Sequence, residues 1–360
     1  MEVKHGGNLF EIERHYGYKK EEILDFSGNI NPLGVSKKAK DFMRENLDLV
    51  SIYPDPEYKA LSNAICTYSD GREDDLFLGN GATSLISGFI RAVNPKKAMI
   101  ISPAYSEYKE QLQKIGSDIN YYLLSAKNDF FLDLNNLVDE INKNKIELLV
   151  ICNPNNPTGK TLTKNEIEFL LKSTSCYIMV DETYVEFTDT ITYSSVPLTK
   201  NYPLLMVIRG TSKFFGIPGL RLGYGFCSEK KIRTTLEEDG NLWDVNIVAT
   251  TMGEIMFKDE DFIKNSKDLI SNERDYLSSE LSSLAGVKVY PTCGNFILSQ
   301  IISGDITANI ICQEAIKEKM LVRNASSFEG FDNTFFRVCI LSPDANRKLI
   351  SKLKEIFSRS

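Results

Sequence analysis

The stretch Thr211–Tyr224, with the sequence TSKFFGIPGLRLGY, is the part of the chain that decides its fold. It places Lys213 in a small, hydroxyl-rich turn and Arg221 eight residues later, with glycine and proline fixing the backbone between them. A lysine amine can hold an aldehyde covalently, and an arginine can bind a phosphate through two parallel hydrogen bonds. Because most lysines are solvated surface charges, the stretch is only suggestive until other segments supply the rest of a site.

A glycine-rich turn, Gly79–Ser84 (GNGATS), follows a predicted strand and opens a predicted helix over Leu85–Val93. Such turns present backbone N–H groups and the positive end of the helix dipole to a phosphate. The turn does not have the G-x-G-x-x-G spacing, and G-x-x-x-x-G-K-[ST] is also absent, so dinucleotide and P-loop sites are not indicated. The alternative is an ordinary capped turn with Thr83 or Ser84 as the N-cap.

Two further polar segments follow predicted strands. Asn153–Gly159 (NPNNPTG) ends the apolar run Leu148–Cys152, and ligands of open parallel sheets bind at the carboxyl ends of strands. Asparagine amides there can donate to a phenolate-like oxygen, although a plain proline-rich turn is the alternative. We favour the functional interpretation, since two prolines in so short a run indicate a fixed geometry.

Asp181 follows the run Tyr177–Val180 and precedes Glu182-Thr183-Tyr184. A carboxylate at this edge is costly to bury unless it is paired, and a pyridinium N–H would be a suitable partner that also keeps the ring protonated. The alternative is an aspartate that caps a helix N-terminus.

Near the C-terminus, Arg323 and Arg337 flank a loop, and Arg337 lies inside an apolar strand. A buried guanidinium needs an anionic partner, which a carboxylate or phosphate ligand would supply. A structural ion pair is the competing interpretation, and the residues alone do not favour either.

Short apolar, β-branched runs alternate with amphipathic stretches from about Leu76 to Cys227, which predicts a mainly parallel sheet between helices. The predicted strands are Leu76–Leu78, Ala98–Ser102, Ile119–Leu124, Glu147–Cys152, Cys176–Asp181, Leu204–Ile208 and Gly223–Cys227. Beyond about Glu260 the pattern changes to a smaller α+β block. There we predict helices over Phe262–Leu284, Thr307–Lys319 and Ala345–Phe357, and strands over Val287–Tyr290, Phe296–Ile301 and Phe335–Leu341.

Composition excludes several classes of protein. The net charge of −7 argues against a nucleic-acid binder, which requires a basic face. The seven cysteines form no C-x-x-C pair, and Met1–Gly7 contains no apolar signal segment, so we expect a cytoplasmic protein without membrane contact. With only His5 and His15 present, a histidine-rich metal site is not expected.

The four motifs G-N-G-A-T, N-P-N-N-P-T-G, D-E-T-Y and S-K-F-F-G-I-P-G-L-R-L-G-Y, in this order, resemble those of the fold-type I pyridoxal phosphate enzymes. The resemblance is to the class I/II aminotransferases and particularly to their histidinol-phosphate aminotransferase-like branch, and it spans essentially the whole chain. It implies an aspartate aminotransferase-like α/β fold with a large cofactor domain containing a seven-stranded, mainly parallel sheet. A smaller α+β domain would be built from the N-terminal arm and the C-terminal segment, with expected boundaries of 1–45, 46–250 and 251–360.

The resemblance also implies roles for individual residues. Lys213 would be the Schiff-base lysine, and Asp181 would pair with the pyridine nitrogen. The other expected cofactor contacts are the phosphate ligands Gly81, Ala82, Thr83, Ser212 and Arg221, the ring-stacking Tyr105, and Asn156 and Tyr184 at the phenolic oxygen. Arg337 would bind the substrate carboxylate, and Tyr53 would reach the cofactor phosphate of a neighbouring subunit, which implies a homodimer with shared sites. Gly210 departs from the family pattern, since Ser or Thr is usual three residues before the lysine.

The N-terminal pairing of His5–Asn8 (HGGN) with Asp25–Gly34 (DFSGNINPLG) resembles the threonine-phosphate decarboxylases of cobalamin biosynthesis. A disordered tip is the alternative explanation of HGGN. The resemblance implies decarboxylation of O-phospho-L-threonine or O-phospho-L-serine, with His5, Asn8, Asn31, Arg323 and Arg337 anchoring the substrate. Two other hypotheses are an aminotransferase for histidinol phosphate or an aromatic amino acid, and a non-catalytic binding module. The last is disfavoured because the cofactor-binding residues are all present.

Overall fold

The computed structural model describes residues 6–240 and 242–358. The strands in these residues are β1 (Leu24–Asp25), β2 (Leu76–Gly79), β3 (Lys97–Ser102), β4 (Asp118–Leu123), β5 (Leu148–Cys152), β6 (Tyr177–Asp181), β7 (Leu205–Gly210), β8 (Gly223–Phe226), β9 (Val287–Val289), β10 (Phe296–Ile301), β11 (Met320–Leu321), β12 (Arg323–Asn324) and β13 (Phe335–Cys339).

The α-helices are α1 (Leu9–Tyr16), α2 (Lys37–Glu45), α3 (Lys59–Ser69), α4 (Ala82–Val93), α5 (Ser106–Lys114), α6 (Leu134–Asn144), α7 (Lys164–Ser173), α8 (Thr190–Tyr193), α9 (Lys230–Asp239), α10 (Ile247–Met256), α11 (Glu260–Ser282), α12 (Ala308–Lys317) and α13 (Pro343–Phe357). No helix in the described part of the chain is both long and apolar enough to cross a bilayer.

A seven-stranded sheet with the order β2-β8-β7-β6-β5-β3-β4 forms the centre of the larger part. The neighbours from β7 to β4 pair in parallel, whereas β8 is antiparallel to both β7 and β2. The predicted mainly parallel sheet is confirmed, and each predicted strand overlaps an observed one to within one or two residues at either end.

Side chains of the central strands alternate between two apolar layers, as a sheet covered on both faces requires. Ile178 and Val180 of β6 pack in the layer that includes residues of α3, α6 and α7. Met179, between them, packs in the opposite layer with residues of α4, α5 and α9. This burial on both faces explains why the strands read as continuous apolar runs in the sequence.

The C-terminal part contains a four-stranded antiparallel sheet with the order β12-β13-β10-β9. The N-terminal segment joins it because β1 pairs in parallel with β11, Leu24 opposite Met320. This pairing agrees with the expectation that the arm helps to build a second, smaller domain. The domain boundaries at residues 45 and 250 stay predictions.

Candidate active site

A cavity of about 350 Å³ opens where the carboxyl ends of the central strands face the C-terminal part. This volume lies within the range of small-molecule sites. The predicted residues that line it are Gly81, Ala82, Thr83, Tyr105, Asn156, Asp181, Tyr184, Ser212, Lys213, Arg221, Arg323 and Arg337. The structure therefore brings together residues that are as much as 256 positions apart in the sequence (Gly81 to Arg337).

Lys213 places its amine in the interior of this cavity. The Nζ atom donates a hydrogen bond of 2.8 Å to the carbonyl oxygen of Gly28. Burial, and after it the positive charge of Arg337, lowers the pKa of Lys213 to about 8. A much larger fraction of this amine is therefore neutral near physiological pH than of an exposed lysine, and the neutral amine is the form that attacks an aldehyde.

Asp181 is 4% exposed and lies at the end of β6, where it faces the cavity. Its Oδ1 atom accepts hydrogen bonds from the Thr183 backbone nitrogen at 2.9 Å and from Thr183 Oγ1 at 2.5 Å. Its Oδ2 atom accepts one from Tyr108 Oη at 2.6 Å. Burial raises the pKa of Asp181, while these hydrogen bonds oppose the rise by stabilising the ionised carboxylate.

The cup expected to hold a phosphate lies at the N-terminus of α4. Gly81 caps this helix with φ +85° and ψ 160°, a backbone conformation that is essentially restricted to glycine. A Cβ atom at this position would lie 2.4 Å from Nη2 of Arg221, so the absence of a side chain leaves room for the guanidinium beside the helix N-terminus. Backbone N–H groups, the helix dipole and an arginine form a donor set suited to a phosphate. The residues present therefore fit the phosphorylated aldehyde cofactor that the sequence predicts.

Gly210, the departure from the family pattern, also adjoins this cup. A Cβ atom at Gly210 would lie 3.2 Å from Cβ of Ala82, which is a tight contact. The hydroxyl group nearest to it is that of Ser212, whose Oγ atom would lie 3.9 Å from the same Cβ. Ser212 is thus in a position to supply a hydroxyl group where the usual Ser or Thr is missing.

Replacing Gly81 with alanine should weaken cofactor binding by about 10-fold to 100-fold. The new methyl group would strain the backbone and displace the Arg221 guanidinium from the cup. Titration of the apoprotein with pyridoxal phosphate, followed by protein fluorescence, measures the change in dissociation constant. Gly304→Ala is the matched control, because Gly304 also has positive φ (+88°) but has nothing within 4 Å of its Cβ position. Equal losses in the two variants would contradict the role given to the space at Gly81.

Asn156 and Tyr184 are oriented by neighbours that the sequence did not reveal. Asn156 Oδ1 accepts a hydrogen bond from Arg337 Nη1, so the amide nitrogen of Asn156 stays available to the cavity. Tyr184 Oη accepts a hydrogen bond of 3.3 Å from Asn29 Nδ2, which leaves the hydroxyl proton of Tyr184 available as a donor. Both predicted contacts to a phenolic oxygen therefore present a donor group.

Arg323 and Arg337 are cross-strand neighbours, directly paired between β12 and β13. Both are nearly buried, at 9% and 4% exposed, and both line the cavity. Arg323 Nη2 donates to Ser327 Oγ at 2.8 Å, and Arg337 Nη2 donates to the Ser27 carbonyl at 2.7 Å. The Nε atom of Arg337 has no hydrogen-bond partner among the described residues. Like charges opposite one another are destabilising, so this pair is suited to an anionic ligand.

The N-terminal arm packs onto the Asp25–Gly34 loop at the edge of the cavity. The backbone nitrogen of Gly7 donates a hydrogen bond of 2.9 Å to Ser27 Oγ. A Cβ atom at Gly6 would lie only 2.3 Å from the Ser27 carbonyl oxygen, so this close approach requires glycine. The two N-terminal motifs are therefore in contact through Gly6, Gly7 and Ser27.

The structure does not support substrate contacts for two of the predicted arm residues. Asn8 is the N-cap of α1, accepting from the Glu11 backbone nitrogen and donating to the Glu11 carboxylate. Asn31 is buried, and its amide donates to the Phe214 carbonyl and to Ser266 Oγ. Neither side chain lines the cavity, since both are engaged in local structure. His5 lies outside the described residues.

Tyr53 also lies away from the cavity of its own chain. It is 74% exposed, and its ring stacks on that of Trp243 with a centroid distance of 4.3 Å. Leu47, Val50 and Ile52 are exposed in the same segment of the chain. An exposed aromatic and aliphatic cluster of this kind is typical of a surface that contacts another protein molecule.

Tyr108, Asn29 and the Gly28 carbonyl were not predicted as site groups. Tyr108 lies three residues after Tyr105, and this spacing puts both residues on the same side of the start of α5. The spacing is the sequence signal that could have indicated Tyr108 as a site residue. Asn29 and Gly28 belong to the conspicuous FSGN motif, but the sequence does not tell which of its atoms face the cavity.

The profile of the aminotransferase class I and II family matches residues 21–353 of this chain. A protein of Caldanaerobacter subterraneus subsp. tengcongensis, provisionally named threonine-phosphate decarboxylase, is 34% identical over 98% of this chain and 94% of its own length. A histidinol-phosphate aminotransferase of Methanococcus aeolicus is 28% identical over 98% of this chain and 95% of its own length. The crystal structure of the histidinol-phosphate aminotransferase from Clostridium acetobutylicum superimposes with a TM-score of 0.87 at 30% identity, covering 94% of this chain and all of that one.

Proposed function

This chain belongs to the aminotransferase class I and II family and is a pyridoxal 5′-phosphate enzyme, and we propose that it decarboxylates O-phospho-L-threonine or O-phospho-L-serine. The product from phosphothreonine would be 1-aminopropan-2-yl phosphate, a precursor in corrinoid (cobalamin) biosynthesis. The two substrates differ by one methyl group, which a hydrophobic contact discriminates by only about 1–3 kcal/mol.

The observation that carries this proposal is the cross-strand pair of buried arginines. Arg323 and Arg337 stand opposite each other on β12 and β13, and both face the cavity. A phosphorylated amino acid has two anionic groups, a carboxylate and a phosphate, separated by a few bonds. Such a ligand offsets both guanidinium charges at once, and bidentate contacts would fix its orientation. The arm adjoins the same site, because Gly6 lines the cavity and the Gly7 nitrogen donates to Ser27 Oγ.

Orientation of the substrate decides which bond at Cα breaks. When bound, pyridoxal phosphate supplies a covalent anchor for the substrate amine and an electron sink for the bond that stands perpendicular to its ring. In the proposed arrangement Arg337 and Arg323 hold the substrate so that the bond to the carboxylate takes this position. Asp181 would hold a proton on the ring nitrogen, and Asn156 and Tyr184 would donate to the phenolic oxygen.

The proposed proton transfer uses Lys213. After carbon dioxide has left, the pair of electrons from the broken bond needs a proton at Cα. The Lys213 amine is held by the Gly28 carbonyl inside the cavity, and its lowered pKa suits an exchange of protons near neutral pH. Lys213 would therefore first hold the cofactor and later return a proton to Cα.

We also propose that the enzyme is a cytoplasmic homodimer. The exposed Tyr53, stacked on Trp243, cannot serve the cavity of its own chain but could reach that of a second copy. All seven cysteines are free thiols, which agrees with a reducing compartment. Sedimentation of the holoenzyme tests the assembly, and a monomer with full activity would contradict it.

The decisive experiment uses the purified holoenzyme with O-phospho-L-threonine and no keto acid. Release of one carbon dioxide per substrate consumed, without transfer of the amino group, supports the proposal. O-phospho-L-serine is tested in parallel, and the Lys213→Ala protein serves as the blank. Absence of carbon dioxide from both substrates would reject the decarboxylase assignment.

Transamination is the second candidate, because relatives named as aminotransferases are about as similar to this chain as those named as decarboxylases. Every proposed cofactor contact would serve either reaction. Amino transfer from histidinol phosphate to 2-oxoglutarate, measured as glutamate formed, would favour this candidate over the first.

The lowered pKa of Lys213 predicts how attachment of the cofactor depends on pH. Only the neutral amine reacts, so the rate at which the apoprotein binds pyridoxal phosphate covalently should rise with a midpoint near pH 8, as the pKa of about 8 requires. Stopped-flow measurement of the near-visible absorbance from about pH 7 to pH 9 reports this rate. A rate that continues to rise steeply up to the pKa of an exposed lysine would contradict the burial of the amine.

A further inference from the structure

Tyr108 is a fully buried tyrosine on the first turn of α5, and its role is not explained by packing alone. Its ring lies at 5.7 Å and 90° to that of Tyr105, and its Oη atom is 2.6 Å from Asp181 Oδ2. The two residues are 73 positions apart and come from different elements. The hydroxyl group of Tyr108 thus reaches from a helix to Asp181, the carboxylate that would pair with the ring nitrogen.

The hydrogen bonds that Asp181 accepts leave one lone pair of its carboxylate free for a further donor. Both bonds from Thr183 go to Oδ1, and that of Tyr108 goes to Oδ2. A carboxylate oxygen accepts about two hydrogen bonds, so Oδ2 keeps one lone pair, and Asp181 faces the cavity. Tyr108 and Thr183 therefore fix the rotation of the carboxylate as well as its charge.

We propose that Tyr108 is a positioning residue that keeps Asp181 ionised and aims its free lone pair at the pyridine nitrogen, an inference that rests on the proposed cofactor site. Inside a protein, a carboxylate and a pyridinium can exchange their proton and become a neutral acid and a neutral ring. Hydrogen bonds donated to the carboxylate stabilise the ionic pair more than the neutral pair, because the charged oxygens are the stronger acceptors. Tyr108 thus holds the proton on the ring, where it is needed for the ring to accept electrons.

The contact with Asp181 also affects the pKa of Tyr108. Burial, and then the charge of Asp181, raises the pKa of the Tyr108 phenol well above its usual value. The phenol of Tyr108 therefore stays protonated. While Asp181 is ionised, the phenol is the donor of this hydrogen bond and the carboxylate is the acceptor. Two other ionisable groups interact with both residues, the thiol of Cys152 and the phenol of Tyr105. Burial raises the pKa of each to about 12, so both stay neutral. Lys213 is the positive group that favours the ionised form of Asp181.

The test is Tyr108→Phe in the holoenzyme, reconstituted with pyridoxal phosphate whose ring nitrogen is isotopically labelled. The NMR resonance of that nitrogen should move from the position of a protonated ring toward that of a neutral ring. We expect kcat for decarboxylation to fall about 10-fold, with KM changed less than about 2-fold. Thr183→Val should move the resonance in the same direction, and Thr183→Ser, which keeps the hydroxyl group, should restore the wild-type position.

Tyr177→Phe is the matched control, since Tyr177 lies at the other end of β6 and does not line the cavity. It should leave the resonance and kcat unchanged. A merely structural role for Tyr108 would lower thermal stability or cofactor affinity without moving the resonance, and that result would overturn the inference.

Asp181→Asn separates this inference from the cofactor assignment. If Asp181→Asn moves the resonance but Tyr108→Phe does not, only the role of Tyr108 is wrong. If neither variant moves it, Asp181 does not pair with the ring, and the proposed site itself is wrong.

Discussion

Lys213→Ala should abolish the near-visible absorbance of the holoenzyme and lower kcat by about 1,000-fold or more. The substitution removes both the proposed covalent anchor of the cofactor and the group that returns a proton to Cα. It also removes the hydrogen bond to the Gly28 carbonyl, which adjoins the arm. The absorbance spectrum after addition of pyridoxal phosphate and the rate of carbon dioxide release are the two measurements.

The control for this variant is Lys230→Ala, on the exposed first turn of α9. It should keep the wild-type spectrum and rate. Far-ultraviolet circular dichroism establishes whether the Lys213→Ala protein is folded. A folded Lys213→Ala protein that retains the band would mean that another lysine holds the cofactor.

Asp181→Asn should lower kcat by about 100-fold to 1,000-fold with little change in cofactor content. Asparagine has nearly the same shape and can still accept the Thr183 hydrogen bonds, but it is neutral and cannot stabilise a protonated ring. The electron sink is therefore weakened while the cofactor remains attached through Lys213. Steady-state kinetics with O-phospho-L-threonine, together with the bound cofactor per subunit, measure the two effects separately.

Asp189→Asn is the control for this variant, because it makes the same substitution at an aspartate outside the cavity. Asp189 caps α8 at the surface, and asparagine caps helices equally well. This variant should keep full activity. Wild-type kcat in the Asp181→Asn protein would show that Asp181 has no part in the electronic chemistry.

Much of the fold could be predicted because burial on both faces leaves a continuous apolar signature. The strand over Phe296–Ile301 was predicted with the bounds that the structure has, and the central strands were placed to within one or two residues. The two-residue strands β1, β11 and β12 were missed, since so short a pairing has no periodicity of its own. Long-range contacts with residues elsewhere in the chain create them.

Some residues of the candidate site could likewise be predicted from the sequence, and others could not. Predicted groups at strand ends, such as Asp181 and Asn156, do line the cavity, because parallel strands bring their carboxyl ends to one edge. The amides of Asn8 and Asn31, which were expected to contact the substrate, are used within the protein, and a conspicuous motif does not tell which of its amides are used in this way. Tyr108 was missed for the related reason that its partner lies 73 residues away.

The sequence by itself indicated the cofactor, because four motifs in a fixed order resemble those of the fold-type I pyridoxal phosphate enzymes, although each motif alone left a structural alternative open. Tertiary structure decided how the two arginines meet, because only the antiparallel register of β12 and β13 places Arg323 opposite Arg337. It also decided the environment of the reacting groups, because burial lowers the pKa of Lys213, while the reach of Tyr108 orients Asp181. Charge and hydrogen bonding depend on distance in space, and distance in space is set by packing between elements rather than by order along the chain.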